Sequence, residues 1–219
     1  MDNNFKKENV FVINLDKRKD RLKSITEQLG SVNIPFTRFS AIRPDIEKIK
    51  NDDLWKNSYQ GINKGKSERW NQYLKGALGC KMSHYNIIKN AKDNDLDYVV
   101  IFEDDALICE NAIKKIEEIN LFFNYDEWDM LYLGGFVPDG KKNIEKYKFI
   151  KKIKSNFQTI GYIIKKKSYD KLLKYIISEK NEIDNIYMYL QKKKIIKAYH
   201  CEIVEQNFKD SNIRGNCKW

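Results

Sequence analysis

At 219 residues, with 42% apolar and 13% aromatic residues, the chain can build one sizeable core, and wholesale disorder is excluded despite 33% charged residues. The formal charge of +10 raises nucleic acid as a partner, but of 41 basic residues only Arg18, Arg21, Arg38, Arg43, Arg69 and Arg214 are arginine and the lysines are dispersed. Recognition of bases and phosphates favours the planar guanidinium, so no nucleic-acid partner is expected; the excess positive charge suits a polyanionic small molecule or an acidic surface.

Val10 to Ile13 read as a short strand, and Leu22, Ile25 and Leu29 recur at helical spacing behind it, with Asp16 as the cap and Gly30 as the stop. With a second strand over Phe36 to Phe39 this makes a βαβ opening, which places Asn14, Asp16, Arg18 and Arg21 near one sheet edge. A guanidinium there either pairs with a diphosphate or lies in a solvated first helical turn. The segment from about 43 to 75 is polar and irregular, with Trp55, Tyr59, Trp70 and Tyr73 among lysines, and reads as a long loop that is mobile or gates a substrate. In Gly76-Ala77-Leu78-Gly79-Cys80-Lys81-Met82-Ser83-His84 the small residues permit close backbone approach, Ser83 is placed as the cap of the next helix, and His84 falls in its first turn, for packing or for chemistry.

Val99-Val100-Ile101-Phe102 is the pattern of a strand buried on both faces, and Glu103-Asp104-Asp105 follow it directly. Parallel sheets bind ligands beyond the carboxyl ends of their strands, so these acids belong to the rim of a crevice. Three adjacent carboxylates repel one another unless a cation neutralises them, and an oxygen-rich set suits Mg²⁺ or Mn²⁺; the bland reading is an acidic turn in solvent. Farther on, Ala112, Ile113, Ile116 and Ile119 mark an amphipathic helix, and Trp128 to Leu133 a strand ending at Gly134-Gly135, where bare backbone lets a ligand lie close. Lys141 to Lys154 reads as a lysine-rich connection, Thr159 to Ile164 as a strand, and Ser168 as the cap of a helix carrying Leu172 and Ile176. A helix through Tyr187 and Leu190 and a last strand over Ile195 to Tyr199 complete an α/β sandwich with a largely parallel sheet, expected to form one domain.

Several of these segments, in order, resemble glycosyltransferase family 25. They are Val12-Ile13-Asn14-Leu15-Asp16 with Arg18 and Arg21, Gly79-Cys80 with Ser83-His84, Phe102-Glu103-Asp104-Asp105, Trp128-Asp129 with Leu133-Gly134-Gly135, Gly161-Tyr162, Ile183-Asp184, and Val204-Glu205-Gln206 before Asp210-Ser211-Asn212-Ile213. The resemblance implies a GT-A type, Rossmann-like nucleotide-binding sandwich, a UDP-sugar donor, a divalent cation, usually Mn²⁺, and transfer with inversion to a saccharide or glycoconjugate acceptor. It implies donor contacts from Asn14, Arg18, Arg21, Ser83, His84, Glu103, Asp104, Gly134, Gly135 and Gln206. Asp105 is then the metal ligand, with Glu103 beside it; His200, one of two histidines in the chain and not at a matched family position, is read as completing the shell from the last strand. Asp184 is the implied catalytic base, its other reading being a helix N-cap. The final segment usually reads Ser-Asp-Ile, and Asn212 departs from it by the loss of a charge.

Cys80, Cys109, Cys201 and Cys217 form no C-x-x-C pair, and the first residues contain no apolar signal core. A soluble protein of the reducing cytoplasm is expected, with peripheral membrane association left open.

Overall fold

The computed structural model describes residues 4–207; the expectations for residues 210–213 lie outside them. Ten strands occur among these residues. They are β1 (Val10–Asn14), β2 (Thr37–Ser40), β3 (Tyr98–Glu103), β4 (Ala106–Ile108), β5 (Met130–Tyr132), β6 (Lys141–Ile144), β7 (Tyr147–Ile153), β8 (Gly161–Lys165), β9 (Ala198–His200) and β10 (Val204–Gln206). The helices are α1 (Lys19–Gly30), α2 (Ile46–Ile49), α3 (Lys56–Ile62), α4 (Glu68–Asp93), α5 (Ala112–Phe122), α6 (Tyr169–Ser178) and α7 (Ile183–Lys192). Eight strands form one sheet in the order β2-β1-β3-β8-β5-β9-β7-β6, while β10 and β4 pair separately. Within the sheet β8 and β7 run against the other six, so the expected α/β sandwich with a largely parallel sheet is present and has two reversed strands.

The apolar run of β3 is buried on both faces, as four consecutive apolar residues require. Val99 and Ile101 face a core built with Leu78, Ile87, Leu172, Ile176 and Leu190 from α4, α6 and α7. Val100 and Phe102 face the opposite core, with Ile25 and Leu29 of α1, Ile119 and Phe122 of α5, and Trp128. The two faces make a helix, sheet, helix sandwich in which β3 is an inner strand paired on both sides, and this pairing holds the acidic residues that follow it.

Four local expectations are corrected. Asp16 does not cap α1: Arg18 occupies that position without a side-chain bond, while Asp16 accepts from Ser40 Oγ at 2.8 Å and pairs with Arg38. The segment 43–75 is not an open loop but carries α2, α3 and the first turns of α4, the last capped by Ser67 accepting from Trp70 N at 3.1 Å. Helix α4 then runs straight through Gly76 to His84, so Ser83 and His84 lie mid-helix. Gly79 is small because the 41–44 turn packs on the helix there; a Cβ would fall 2.2 Å from the carbonyl oxygen of Ile42. Ser83 Oγ fixes the same junction, donating to the Gly79 carbonyl at 2.7 Å and accepting from Ile42 N at 2.9 Å. The lysine-rich stretch after Gly140 is the β6–β7 hairpin, whose charged outer strand blunts the sheet edge against further pairing.

Candidate active site

Parallel pairing of β1 with β3 puts Ile13 opposite Glu103, so the turn after β1 and the acids after β3 share one edge. Asp104 is consumed there: it accepts from Asn14 Nδ2 at 2.7 Å and from Arg21 Nη1 at 2.8 Å, with all three side chains buried. Asn14 is held in turn by Arg38 Nε, which donates to its Oδ1 at 2.9 Å. Asn14, Arg21 and Asp104, expected as donor contacts, therefore form a buried network that fixes the β3 exit. Arg18, expected beside them, pairs with Asp20 at 2.6 Å at the rim of a separate hollow against Asp104 and Asp105.

Asp105 is in a different state. Its Oδ2 lies 3.5 Å from Arg21 Nη1 and 3.4 Å from Gln206 Nε2, and its buried Oδ1 has no hydrogen-bond partner. Burial first, then the negative charge of Glu103, pushes this carboxyl up to about 7. A buried carboxylate oxygen without a partner is costly, and a divalent cation would satisfy it. Glu103 accepts from Thr159 Oγ1 at 2.6 Å and has His84 Nε2 at 3.4 Å. Burial would raise its carboxyl, but His84 and Thr159 together hold it below the ordinary value. Asp105 and Glu103 line the same hollow, so their oxygens are the ones that could hold a hard divalent cation there.

Two hollows meet at these residues. The first is lined by Arg21, Arg43, Lys75, Cys80, His84, Glu103, Asp105 and Gln206, and the second by Tyr73, Cys80, Glu103, Thr159, Asp184, Asn185 and Gln206. Cys80, Glu103 and Gln206 belong to both and form the saddle between two lobes of one cleft. Asp184 lies in the first turn of α7, and Glu182 occupies the cap position, so capping is not the role of Asp184; its Oδ1 accepts from Asn185 N at 2.8 Å. Gln206 reaches the saddle from β10, held by Gln158 Nε2 donating to its Oε1 at 2.8 Å.

The structure does not bring His200, Gly134 or Gly135 to the cleft. His200 is buried at the end of β9, three strands from β3, and burial depresses its imidazole to about 3. The two glycines answer to packing instead of to a ligand: a Cβ on Gly134 would fall 2.3 Å from the Val204 carbonyl oxygen, and Gly135 has φ +104° with Asn156 against it. Arg43, Lys75, Cys80 and Thr159 line the cleft without having been singled out for the site. Arg43 had a usable signal, since it follows β2 at the same carboxyl-end edge that locates Glu103.

Lys81, next to Cys80 on α4, is buried and donates to Ser58 Oγ and the Glu179 carbonyl, each at 2.7 Å, and to the Asn181 carbonyl at 3.0 Å. It ties α4 to α3 and to the loop that launches α7, and burial lowers its ammonium to about 7. Between about 7 and 10.5 the unfolded chain binds the extra proton, so this residue makes folding stability rise with pH across that window. Lys81→Met should lose about 2 kcal/mol by stranding the acceptors, and urea melts at about pH 6 and about pH 9 should show the gap to wild type widening at the higher pH.

The family model described as glycosyltransferase family 25 (LPS biosynthesis protein) matches residues 7–188. A putative glycosyltransferase of Haemophilus influenzae is 36% identical over 109 residues, covering 49% of this chain and 36% of the relative. A probable inactive glycosyltransferase 25 family member 3 of Rattus norvegicus is 30% identical over 132 residues, covering 57% and 22%. Procollagen galactosyltransferase 2 of Homo sapiens is 29% identical over 134 residues, covering 57% and 20%. The matched part of this chain thus spans 36% or less of the length of each of these relatives. With the family model matching from the first strand into α7, and with the acidic turn at the exit of β3 within the match, the chain belongs to glycosyltransferase family 25.

Proposed function

We propose that the chain is a metal-dependent inverting glycosyltransferase that moves a hexose, galactose or glucose, from a UDP-sugar to a hydroxyl of a saccharide or glycoconjugate acceptor. One observation carries this reading: the buried, unpartnered Oδ1 of Asp105 at the exit of β3, in a cleft whose other lobe holds Asp184. Family membership supports the transfer of a sugar, and the name of the human relative supports galactose.

Asp105 and Glu103 are the residues that would hold the cation, Mn²⁺ or Mg²⁺, which when bound supplies charge stabilisation for a departing diphosphate. Arg43 and Lys75 line the same lobe and bring positive charge to an anionic donor. Asp184 lines the second lobe and takes the proton of the acceptor hydroxyl as its oxygen bonds to the anomeric carbon. The bond from sugar to phosphate breaks and UDP leaves with the electron pair. Arg21 and Asn14 act through Asp104: they hold the turn so that Asp105 keeps its place.

The direct test is thermal stability with UDP and Mn²⁺. A ligand that binds the folded state at about 100 times its Kd adds about 2.7 kcal/mol. Wild-type protein should gain on that scale, and Asp105→Asn should lose the part that depends on the cation while melting cooperatively. Equal UDP-sugar turnover before and after chelation would remove the cation from the account. A second reading, a donor-binding protein without turnover, is favoured by the similarity to the rat relative named as probable inactive; it predicts the same thermal gain with no UDP released from any UDP-sugar.

A further inference from the structure

The saddle of the cleft holds a second kind of donor set. Cys80 and His84 are one helical turn apart on α4 and present the same face to Glu103 at the end of β3. Cys80 Sγ, a ring nitrogen of His84 and a carboxylate oxygen of Glu103 all lie within 4.8 Å of one another. His84 is fully buried, and its Nε2, at 3.4 Å from Glu103 Oε1, makes no hydrogen bond. Its other nitrogen, Nδ1, is 2.5 Å from the Tyr162 hydroxyl. When Nδ1–H donates to that hydroxyl, Nε2 presents its lone pair to the saddle, which is how an outer partner fixes a ligating imidazole.

We propose that Cys80, His84 and Glu103 form a binding site for a thiophilic divalent cation of the Zn²⁺ type. Sulfur, imidazole and carboxylate are the donors zinc takes, with bonds of about 2.0–2.3 Å, so a small inward movement of the three closes the shell. Three protein ligands leave the fourth position to water from the cleft. Sulfur and imidazole set this site apart from the all-oxygen pair of Asp105 and Glu103, which suits Mn²⁺ or Mg²⁺. On binding, the Cys80 thiol gives its proton to solvent as the sulfur to metal bond forms, and the ring nitrogen of His84 and a carboxylate oxygen of Glu103 each donate a lone pair. Burial and then the charges of Glu103, Asp184 and Asp105 hold the free thiol well above its ordinary value, and the same charges attract a dication. Because Glu103 serves both sets, zinc at the saddle draws it away from Asp105 and obstructs the passage between the lobes; this consequence for transfer rests on the function proposed above, and the binding itself does not.

The test uses the full chain with Co²⁺ as the spectroscopic probe. Wild-type protein should develop the near-ultraviolet absorption of a sulfur to cobalt bond, and equimolar Zn²⁺ should abolish it. Cys80→Ser should lack the band, and His84→Gln should weaken Zn²⁺ affinity by more than about tenfold. In unsubstituted protein, Zn²⁺ but not Mn²⁺ should protect Cys80 from alkylation, read by mass spectrometry, so the outcome does not depend on a variant folding. A band that persists in Cys80→Ser, no band in wild type, or alkylation of Cys80 at an unchanged rate with Zn²⁺ would overturn the proposal. The stabilisation by UDP and Mn²⁺ is read separately, so failure here and failure of the proposed function are distinguishable.

Discussion

Asp184→Asn should lower sugar transfer by about 10²–10⁴-fold while leaving UDP affinity within about twofold of wild type. The amide keeps the shape of the side chain and the acceptor for Asn185 N, and it removes the basic oxygen that takes the hydroxyl proton. The first turn of α7 also tolerates the loss of one charge, since Glu182 stands at the cap position. Initial rates with a competent acceptor, beside calorimetric titration with UDP, separate the two quantities. Hydrolysis of the donor by water should fall less than transfer, because the base matters most where a specific hydroxyl must be deprotonated. A variant that transfers at the wild-type rate would move the base elsewhere in the second lobe.

The largest loss of stability should come from Arg21→Met, at about 3–5 kcal/mol. Removing the guanidinium leaves Asp104, itself 9% exposed, with only Asn14 to answer a full charge. Asp105 loses the guanidinium 3.5 Å from its Oδ2 in the same step. Adding Asp104→Asn should restore part of the loss, because a neutral amide needs no counter-charge, and a double-mutant cycle by urea denaturation reads the recovered energy. If the double variant were no more stable than Arg21→Met, the guanidinium would be acting through packing of its stem on α1 instead of through charge.

The sequence made the acidic turn and its position legible because both follow from simple rules. Four apolar residues in a row can only be buried from two sides, and what comes after such a strand in a parallel arrangement lies at the rim. Asn14 and Arg21 were placed at the same edge by the βαβ opening, though not in the role they play: nothing in the order of residues says that Asp104 would use up both of them. Helix α4 was hidden by Gly76 and Gly79, which lower helix propensity by about 1 kcal/mol each, and tertiary packing of Leu74, Ala77 and Leu78 overrides that cost. The β6–β7 hairpin was hidden because lysines at a sheet edge look like a solvated connection. His200 stood out as one of two histidines in the chain, but rarity does not measure distance, and the strand order alone separates it from the β3 exit.

The acidic turn is anchored from both sides by different hydrogen-bonding systems. Before it, β3 belongs to the eight-stranded sheet; after it, β4 pairs only with β10, and Asn207 N donates to the Asp105 carbonyl at 2.8 Å. Residues about a hundred positions apart thus close a clasp around a single loop. A proteolytic nick between Cys201 and Val204 would leave the main sheet intact yet loosen that clasp, so the site's integrity is tethered to the returning β10 segment.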